Sequence, residues 1–256
     1  MNILDKIVAS TAIRVESEKK NGLPPERSFR RQPFVFEKSL RRNDIAFICE
    51  VKRASPSKGV IAEDYHFTDI ARQYEAAGAS AISVLTEPEF FRGSNYHLTE
   101  IRKAVEIPLL RKDFIIDMFQ IEQSFRLGAD AILLIAKILT PKKLSLFIEE
   151  ADRLGMSCLV EIHDESELRA AVNAGARVIG VNNRDLRTFK VDISNSIRLR
   201  RLAPEGTVFV SESGVQTGED VELLRKNGVD AVLVGEVLMR SADKKAALAA
   251  LRGNRE

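Results

Sequence analysis

One apolar segment of the chain ends in ionisable residues of opposite charge. The stretch EVKRASPSKG, residues 50–59, comes directly after the run IAFIC and carries Glu50 and Lys52 two positions apart. Along a β-strand these two side chains lie on one face, whereas Cys49 and Val51 lie on the other. Because burying an unpaired charge is costly, strands that only fill a core avoid such residues. We therefore interpret Glu50 and Lys52 as acid–base groups at the floor of a site.

Four other apolar segments end in polar residues of similar chemistry. Lys112 ends IPLLRK, Glu161 ends SCLVE, Asn182 follows VIGV, and Glu212 ends TVFVSE. Any single ion pair among these groups could be structural. Five ionisable groups of both signs exceed what stability requires, because buried ion pairs contribute little net free energy. Their clustering also moves pKa values toward the range that proton transfer needs, so the pattern indicates Lys/Glu acid–base catalysis.

The elements that position these residues repeat along the chain. Four segments each join a helix end to a glycine and then to a short apolar strand, with the glycines about 50 residues apart: EAAGASAISVL, FRLGADAILLI, VNAGARVIGV and RKNGVDAVLV. We expect left-handed φ angles at these glycines. Four further apolar segments lie between or before them and raise the number of predicted strands to eight: residues 45–51, 107–114, 157–163 and 207–214.

Each predicted strand is followed by a helical pattern, which places the chain in the α/β class. Eight alternating units with near-continuous apolar strands predict a closed parallel (β/α)₈ barrel, the TIM-barrel fold. A doubly wound sheet is the alternative, but it leaves the even spacing unexplained. In a barrel of this kind the carboxyl ends of the strands carry the catalytic side chains, and the polar residues described above stand at those ends.

Residues 1–44 precede the barrel pattern. Residues 2–20 are amphipathic, with Asn2 as a candidate N-cap, and residues 28–44 interleave apolar and charged positions before a turn. We interpret residues 1–44 as a helical extension that packs on the barrel rim within a single domain of residues 1–256. The arginines of residues 28–44 could guide an anionic substrate, although we favour a solvated helix face.

Composition limits the classes of partner and compartment. The chain has 39 basic and 37 acidic side chains, and its net charge of +2 predicts no strong attraction to nucleic acid or membranes. Cys49 and Cys158 lie within apolar runs, which favours buried reduced thiols and a cytoplasmic location. No apolar run is long enough to span a membrane, and the first ten residues are not typical of a signal peptide. We expect a monomer.

Two glycine-containing turns predict where an anion binds. SESGV follows the seventh predicted strand and VGEVLM follows the eighth, so backbone N–H groups are exposed where a strand turns into a helix. Loops at these two strands commonly hold phosphate in such barrels. Lys52 or Ser55 could close over the same anion.

Other kinds of chemistry lack support in the sequence. His66, His97 and His163 are scattered without metal-ligand spacing, and we expect His163 to be a loop residue rather than a base. The dinucleotide and ATP motifs GxGxxG and GxxxxGK are absent, as is the GxSxG nucleophile motif. The residues therefore favour cofactor-free acid–base catalysis on a phosphorylated small molecule.

Taken together, the motifs resemble one family, indole-3-glycerol phosphate synthase. The matching stretches occur in the family's order and, with the extension, cover essentially the whole chain: EVKRASPSKG, LTEPEFFRGS, LLRKDF, ILLIAKIL, LVEIHD, GVNNRDL, SESGV and VGEVLMR. The resemblance implies a carboxy-lyase of tryptophan biosynthesis with no metal or organic cofactor. It would convert 1-(2-carboxyphenylamino)-1-deoxyribulose 5-phosphate into indole-3-glycerol phosphate, CO₂ and water.

The resemblance also implies roles for the residues at the strand ends. Lys112 matches the general acid that protonates the substrate ketone, and Glu161 matches a base or a carboxylate that stabilises cationic charge. Glu50 and Lys52 match groups that serve the dehydration and the phosphate end. The residues matching those that orient these groups and the substrate hydroxyls are Asn182 and Glu212.

The substrate-binding residues implied by the resemblance form four groups. They are the ring pocket Phe91, Phe114 and Leu133; Ser55 and Ser57 of the first loop; the carboxylate partner Arg184; and the phosphate cradle Ser213, Gly214, Val234, Gly235 and Glu236. An acidic side chain beside phosphate is unfavourable, so we expect only the backbone N–H of Glu236 to face the ligand.

A lysine is too weak an acid near neutral pH unless a second ammonium or partial burial lowers its pKa, and we expect this for Lys112. Two alternatives to the lyase stay open. One is a phosphate-sugar enzyme of the same fold in which Lys112 forms a Schiff base. The other is a non-catalytic barrel that binds a phosphorylated ligand.

Overall fold

The eight predicted strands close into a parallel barrel in the computed structural model, which describes residues 2–25, 32–185, 188 and 190–253. Each strand pairs with the next one along the chain, and the last pairs with the first. This confirms the (β/α)₈ barrel and excludes the doubly wound sheet. The barrel strands are β1 (Ala46–Val51), β2 (Ala81–Leu85), β3 (Leu109–Lys112), β4 (Ala131–Ile135), β5 (Ser157–Ile162), β6 (Val178–Asn182), β7 (Val208–Glu212) and β8 (Ala231–Val234).

Helices surround the barrel and connect its strands. Asp117, Thr140 and Asp164 each accept a hydrogen bond from a first-turn backbone N–H, so these polar residues mark where three helices begin. The helices are α1 (Ile3–Asn21), α2 (Val35–Leu40), α3 (Phe67–Ala76), α4 (Asn95–Ala104), α5 (Met118–Leu127), α6 (Pro141–Arg153), α7 (Glu165–Asn173), α8 (Ser194–Arg200), α9 (Gly218–Lys226), α10 (Glu236–Arg240) and α11 (Lys244–Arg252), with one 3₁₀ turn at Ala136–Ile138. Within the described ranges, none of these helices is both long and apolar enough to cross a membrane.

The glycines of the repeated segments adopt the backbone conformation expected of them. Gly78, Gly128, Gly175 and Gly228 have φ angles of 82°, 99°, 86° and 76°. These values lie in the left-handed region that side chains with a Cβ rarely enter. Each glycine therefore ends a helix and lets the chain return to the next strand, as the sequence predicts.

The core has two layers that follow the alternation of side chains along the strands. Cys49 and Val51 pack between β1 and the helices in the outer layer. Ala46 and Ile48 point into the barrel and belong to the inner layer. Cys49 and Cys158 are both buried free thiols, which confirms the expectation drawn from their apolar surroundings.

The N-terminal extension contacts both ends of the barrel. Asn2 caps α1, as predicted, and α1 lies over the carboxyl ends of the strands, where Arg14 contacts Asp113 and Lys19 contacts Asp117. At the opposite end, α2 buries two apolar side chains completely against the first residues of several strands, and these are Phe36 and Leu40. One helix therefore covers the mouth and the other closes the base.

Two arginines of residues 28–44 belong to the described part of the chain, Arg41 and Arg42, and both lie at the base of the barrel. The Arg41 guanidinium donates to the Gly206 carbonyl, and the Arg42 guanidinium donates to the Ser80 hydroxyl. Both side chains are exposed there and far from the carboxyl ends of the strands. A role in guiding substrate is thus excluded for these two, while Arg30 and Arg31 lie outside the described residues.

Candidate active site

A cavity of about 600 Å³ opens at the carboxyl ends of the strands. Its wall includes side chains from the odd-numbered strands, from the loops that follow β1, β2, β6, β7 and β8, and from α1. Among the predicted site residues it is lined by Glu50, Lys52, Ser55, Ser57, Phe91, Lys112, Phe114, Leu133, Glu161, Asn182, Arg184, Glu212, Ser213, Gly214, Gly235 and Glu236. Val234 is not a lining residue, because its side chain packs in the outer core layer.

The floor of the cavity is a cluster of charged groups centred on Lys112. The Lys112 Nζ lies 3.6 Å from Glu212 Oε2 and 3.8 Å from Glu161 Oε2. Lys52 Nζ contacts Glu50 Oε1 at 2.5 Å. The three carboxylates are almost fully buried. Residues separated by more than 150 positions in the sequence thus meet in one pocket.

Asn182 supports one side of this cluster. Its amide Nδ2 donates to Glu161 Oε1 at 3.2 Å, and its Oδ1 accepts the backbone N–H of Arg184 at 3.0 Å. The side chain therefore orients Glu161 and ties the loop after β6 to the site. Glu161 Oε2 is left to face Lys112.

Two glycines make room for the buried carboxylates. A Cβ on Gly180 in β6 would collide with the carboxylate of Glu212, and one on Gly235 would stand 2.6 Å from Glu50 Oε1. Both contacts are closer than a carbon atom tolerates, so any larger residue would displace the carboxylate. Sequence reasoning assigned no such role to Gly180, although it lies within the quoted motif GVNNRDL.

The carboxylates control the protonation of Lys112. Burial alone would lower the pKa of this lysine, but Glu212, Glu161 and Glu50 outweigh that effect and raise it. The prediction of a lowered pKa for Lys112 is therefore wrong. The prediction named a second ammonium or partial burial as the cause, but the carboxyl groups of Glu212, Glu161 and Glu50 outweigh the effect of burial.

The same cluster pushes the pKa values of two carboxyl groups in opposite directions. Burial, together with Glu161 and Glu50, raises the pKa of Glu212 to about 8 despite the nearby Lys112. For Glu50, burial acts in the same upward direction, but Lys52 and Lys112 outweigh it, so the pKa is lowered. Glu212 therefore keeps its proton to a higher pH than an ordinary carboxyl group, whereas Glu50 loses its proton more readily. Environments that separate the pKa values of neighbouring groups are typical of acid–base sites.

An apolar wall rises above the charged floor. The rings of Phe91 and Phe114 lie with centroids 6.1 Å apart, and Leu133 lines the same cavity. Glu87 holds the loop in place, because its carboxylate accepts the backbone N–H groups of Phe90 and Phe91. Sequence reasoning missed the contribution of α1 to the lining, which consists of Ile3, Leu4 and Ile7. The amphipathic pattern of residues 2–20 signals an apolar face, but it does not tell what that face covers.

The opposite wall carries backbone turns and cations. Ser213 and Gly214 have φ angles of 64° and 95°, so this turn departs from strand geometry directly after β7. Glu236 pairs with Lys58 at 3.6 Å and with Arg240 at 3.3 Å. Lys58 stands in the stretch EVKRASPSKG and Arg240 lies one turn after Glu236, yet sequence reasoning singled out neither. These two cations balance the acidic side chain.

Comparison with known proteins agrees with this geometry. The family model of indole-3-glycerol phosphate synthase matches residues 4–251. Proteins named indole-3-glycerol phosphate synthase from Ruminiclostridium cellulolyticum and Endomicrobium trichonymphae are 55% and 54% identical to this chain. The first match covers 98% of this chain and 99% of the relative, and the second covers 94% and 96%.

Solved structures with low sequence identity share the fold. The 3-hexulose-6-phosphate synthase of Salmonella typhimurium superposes with a TM-score of 0.66 at 16% identity, covering 81% of this chain and 96% of that chain. A thiamine phosphate pyrophosphorylase from Pyrococcus furiosus gives a TM-score of 0.61 at 16% identity, covering 81% and 93%. These likenesses support the barrel alone. The family model and the relatives of about 55% identity show more, and the chain belongs to the indole-3-glycerol phosphate synthase family.

Proposed function

We propose that the chain converts 1-(2-carboxyphenylamino)-1-deoxyribulose 5-phosphate into indole-3-glycerol phosphate, CO₂ and water, as a carboxy-lyase of tryptophan biosynthesis. The observation that carries this proposal is the placement of Lys112 between Glu161 and Glu212 at the floor of the cavity. The apolar wall with Phe91 and Phe114 lies on one side of that floor, and the opposite wall carries the cations Lys58 and Arg240. A substrate with an aromatic ring, a ketone and a phosphate matches those three regions.

In the first step, a new carbon–carbon bond closes the ring. The ring carbon that bears the carboxylate attacks the ketone carbon, and the Lys112 ammonium donates a proton to the ketone oxygen. The oxygen gains alkoxide character as the bond forms, so it is basic enough to take a proton even from an ammonium of raised pKa. The positive charge left on the substrate would be stabilised by Glu161, which is buried within ion-pair distance of Lys112. Loss of CO₂ then returns the electron pair of the C–C bond to the ring. Phe91, Phe114 and Leu133 would hold the aromatic ring during these changes, and Arg184 would hold its carboxylate.

In the second step, water is lost from neighbouring carbon atoms. The hydroxyl formed from the ketone leaves with a proton, and a base removes a proton from the adjacent CH₂ group. Glu50, Lys52 and Glu161 supply the groups for this exchange. Glu212, 3.6 Å from Lys112, is placed to return a proton to that lysine.

The phosphate would occupy the wall formed after β7 and β8. Backbone N–H groups of Ser213, Gly214, Gly235 and Glu236 would bind its oxygens, with Lys52, Ser55 and Ser57 nearby. Val234 would contribute through its backbone only, because its side chain faces the outer core. Pairing of the Glu236 carboxylate with Lys58 and Arg240 reduces its repulsion of the phosphate.

The protonation of Lys112 argues against the Schiff-base alternative. A nucleophilic amine must be deprotonated, whereas the surrounding carboxylates raise the pKa of Lys112. A barrel that only binds a phosphorylated ligand would not need a buried cluster of two lysines and three glutamates at its floor. Acid–base catalysis accounts for both features.

The activity test follows the fluorescence of the indole product, and the chain itself contributes no Trp background. Lys112→Ala should reduce turnover by roughly 10²–10⁴-fold, which is the usual contribution of general acid catalysis. Equilibrium dialysis should show that this variant still binds substrate. Lys142→Ala, an exposed position on α6, serves as the matched control with unchanged turnover. Loss of substrate binding in Lys112→Ala would make that lysine a binding residue instead.

We further infer that the protein acts as a cytoplasmic monomer whose extension and barrel form one domain. Two buried free thiols suit a reducing compartment. The near-balanced charge gives no reason to expect nucleic acid or membrane partners. Light scattering of the purified chain should give the mass of one copy, and a mass of two copies would overturn the monomer.

A further inference from the structure

His163 stands between two carboxylates, directly after the end of β5. Its Nδ1 lies 3.1 Å from Glu167 Oε2 on α7, and its Nε2 lies 3.6 Å from Glu161 Oε1. Glu167 Oε2 also accepts the backbone N–H of His163 at 2.8 Å. Asn195 on α8 donates its side-chain amide to the His163 carbonyl at 3.0 Å. The ring is therefore anchored on one side and directed at Glu161 on the other.

The position of the protons on this ring follows from its neighbours. With the Nδ1–H donating to Glu167, a neutral ring would turn the lone pair of Nε2 toward the Glu161 carboxylate, which is repulsive. An imidazolium places an N–H there instead. Within the described part of the chain the buried Nε2 has no hydrogen-bond partner, and its distance from Glu161 is that of an ion pair.

The charged groups that face His163 are mainly anionic. They are Glu161 on β5, Asp164 next to His163 in the chain and Glu167 on α7, opposed by Lys137 from the 3₁₀ turn after β4. Burial lowers the pKa of His163, but the hydrogen bond to Glu167 and the charges of Glu161 and Glu167 outweigh it, so the pKa is raised. These contacts favour the imidazolium near neutral pH.

We propose that His163, held by Glu167, is a positioning residue that places a positive charge beside the Glu161 carboxylate and fixes its orientation for the reaction. Glu161 Oε1 then faces Asn182 and His163, which leaves Oε2 for Lys112 and the substrate. The proposal rests on the proposed function, in which Glu161 is the carboxylate beside the reacting centre. His163 does not line the cavity, so it acts only through Glu161.

The first test measures the contact without requiring activity. The chain has three histidines, so His163 can be identified in an NMR titration by the signal that His163→Gln removes. Glu161→Gln should lower the pKa of His163 by roughly 0.5–1 unit, because it removes a facing negative charge. Glu165→Gln is the matched control on α7, since Glu165 is half-exposed and pairs with Arg198 instead. An unchanged pKa in Glu161→Gln would overturn the proposal.

The second test uses turnover in the full-length enzyme. His163→Gln should reduce kcat by roughly ten-fold with little change in KM, and it should move the acid limb of the kcat/KM profile to higher pH. Glu167→Gln should shift the profile in the same direction. In the Glu161→Gln background, His163→Gln should cause no further loss, because the two residues act as one unit.

The outcomes separate this inference from the proposed function. Wild-type protein that does not form the indole product would refute the function, while the NMR titration would still decide whether His163 and Glu161 are coupled. Active wild-type protein whose His163→Gln variant keeps the same kcat and pH profile would refute the positioning role alone. Additive losses in the double variant would do the same.

Discussion

Strand β3 carries two adjacent basic residues, Arg111 and Lys112, whose surroundings differ. Arg111 points into the layer between strand and helices, is fully buried, and donates hydrogen bonds to Thr86, Ser124, Asn95, the Gln120 carbonyl and Asp113 at 3.0–3.3 Å. Lys112 points into the cavity and meets its carboxylates only at 3.6–3.8 Å. Among the residues that the structure describes, neither oxygen of Glu212 has a hydrogen-bond partner.

The difference separates a structural network from a reactive one. Asp113, the anion beside Arg111, also accepts hydrogen bonds from Arg14 on α1 and from Thr86, so every strong polar group there is satisfied. Such a network holds one geometry. The cluster around Lys112 keeps unsatisfied oxygens and separated pKa values, and a substrate can use both. Unsatisfied buried polar groups are costly, so their presence here indicates a functional site rather than a structural network.

The largest effect on stability is expected from breaking the satisfied network. Arg111→Met leaves Asp113 without its main buried partner and should lower the free energy of unfolding by about 3–5 kcal/mol. Lys112→Met should cost only about 1 kcal/mol, because Glu212 can take up a proton when the lysine is absent. Urea unfolding followed by circular dichroism suits a chain without Trp.

Arg72→Met is the control for Arg111→Met, because the Arg72 side chain is 59% exposed and pairs with an equally exposed Asp69. Its unfolding free energy should change by less than about 0.5 kcal/mol. If Lys112→Met destabilises the protein as much as Arg111→Met does, the distinction between a structural and a reactive network is wrong.

An intermediate effect is expected at the glycine that makes room for Glu212. Gly180→Ala places a methyl group against that carboxylate, which must move, and kcat should fall by roughly ten- to hundred-fold. The measurement is the steady-state rate of product formation, accompanied by circular dichroism of the folded protein.

Val178→Ala is the matched control, because Val178 lies two positions earlier on the same face of β6 and belongs to the inner core. It should lower stability by creating a cavity and leave kcat within about two-fold. Equal losses of kcat in the two variants would mean that packing of β6, rather than room for Glu212, limits the rate.

The smallest effect, taken over a single pH unit, is a dependence of stability on pH that comes from Glu212. Its pKa is raised to about 8 in the folded state, so the folded protein binds more protons than the unfolded chain above about pH 4.5. Stability from this group is therefore fully present at low pH and is lost as the pH rises toward 8. The slope cannot exceed about 1.4 kcal/mol per pH unit for one proton.

Glu212→Gln should remove that part of the slope between pH 5 and 8, as seen in urea unfolding at a series of pH values. Glu205→Gln, an exposed residue before β7, provides the control and should leave the slope unchanged. A wild-type slope that persists in Glu212→Gln would assign the proton uptake to another group.

Local patterns in the sequence were sufficient to predict the barrel. Side-chain alternation, the recurring glycines and the polar strand ends are properties of short segments, and each segment adopts the predicted conformation in the structure. The placement of Glu50, Lys112, Glu161 and Glu212 at one floor followed from the same reasoning. In a parallel barrel all carboxyl ends of the strands face one way, so residues at those ends must meet.

Other features depend on distances that no local pattern contains. The amphipathic extension was evident, but only packing shows that α1 covers the mouth while α2 closes the base. His163 was predicted to be a loop residue, and only the fold places it between Glu161 and Glu167. The roles of Gly180, Lys58 and Arg240 likewise arise from neighbours that are remote in sequence.

The sequence by itself determined the fold and the family. It also determined which residues stand at the strand ends, and therefore the kind of chemistry. The tertiary structure alone decided how those groups are charged. It raised the pKa of Lys112, against expectation, and raised that of Glu212 to about 8, because electrostatic interactions vary with the distance between groups and with their burial. Residue identity gives the type of group, and only the three-dimensional arrangement gives those distances.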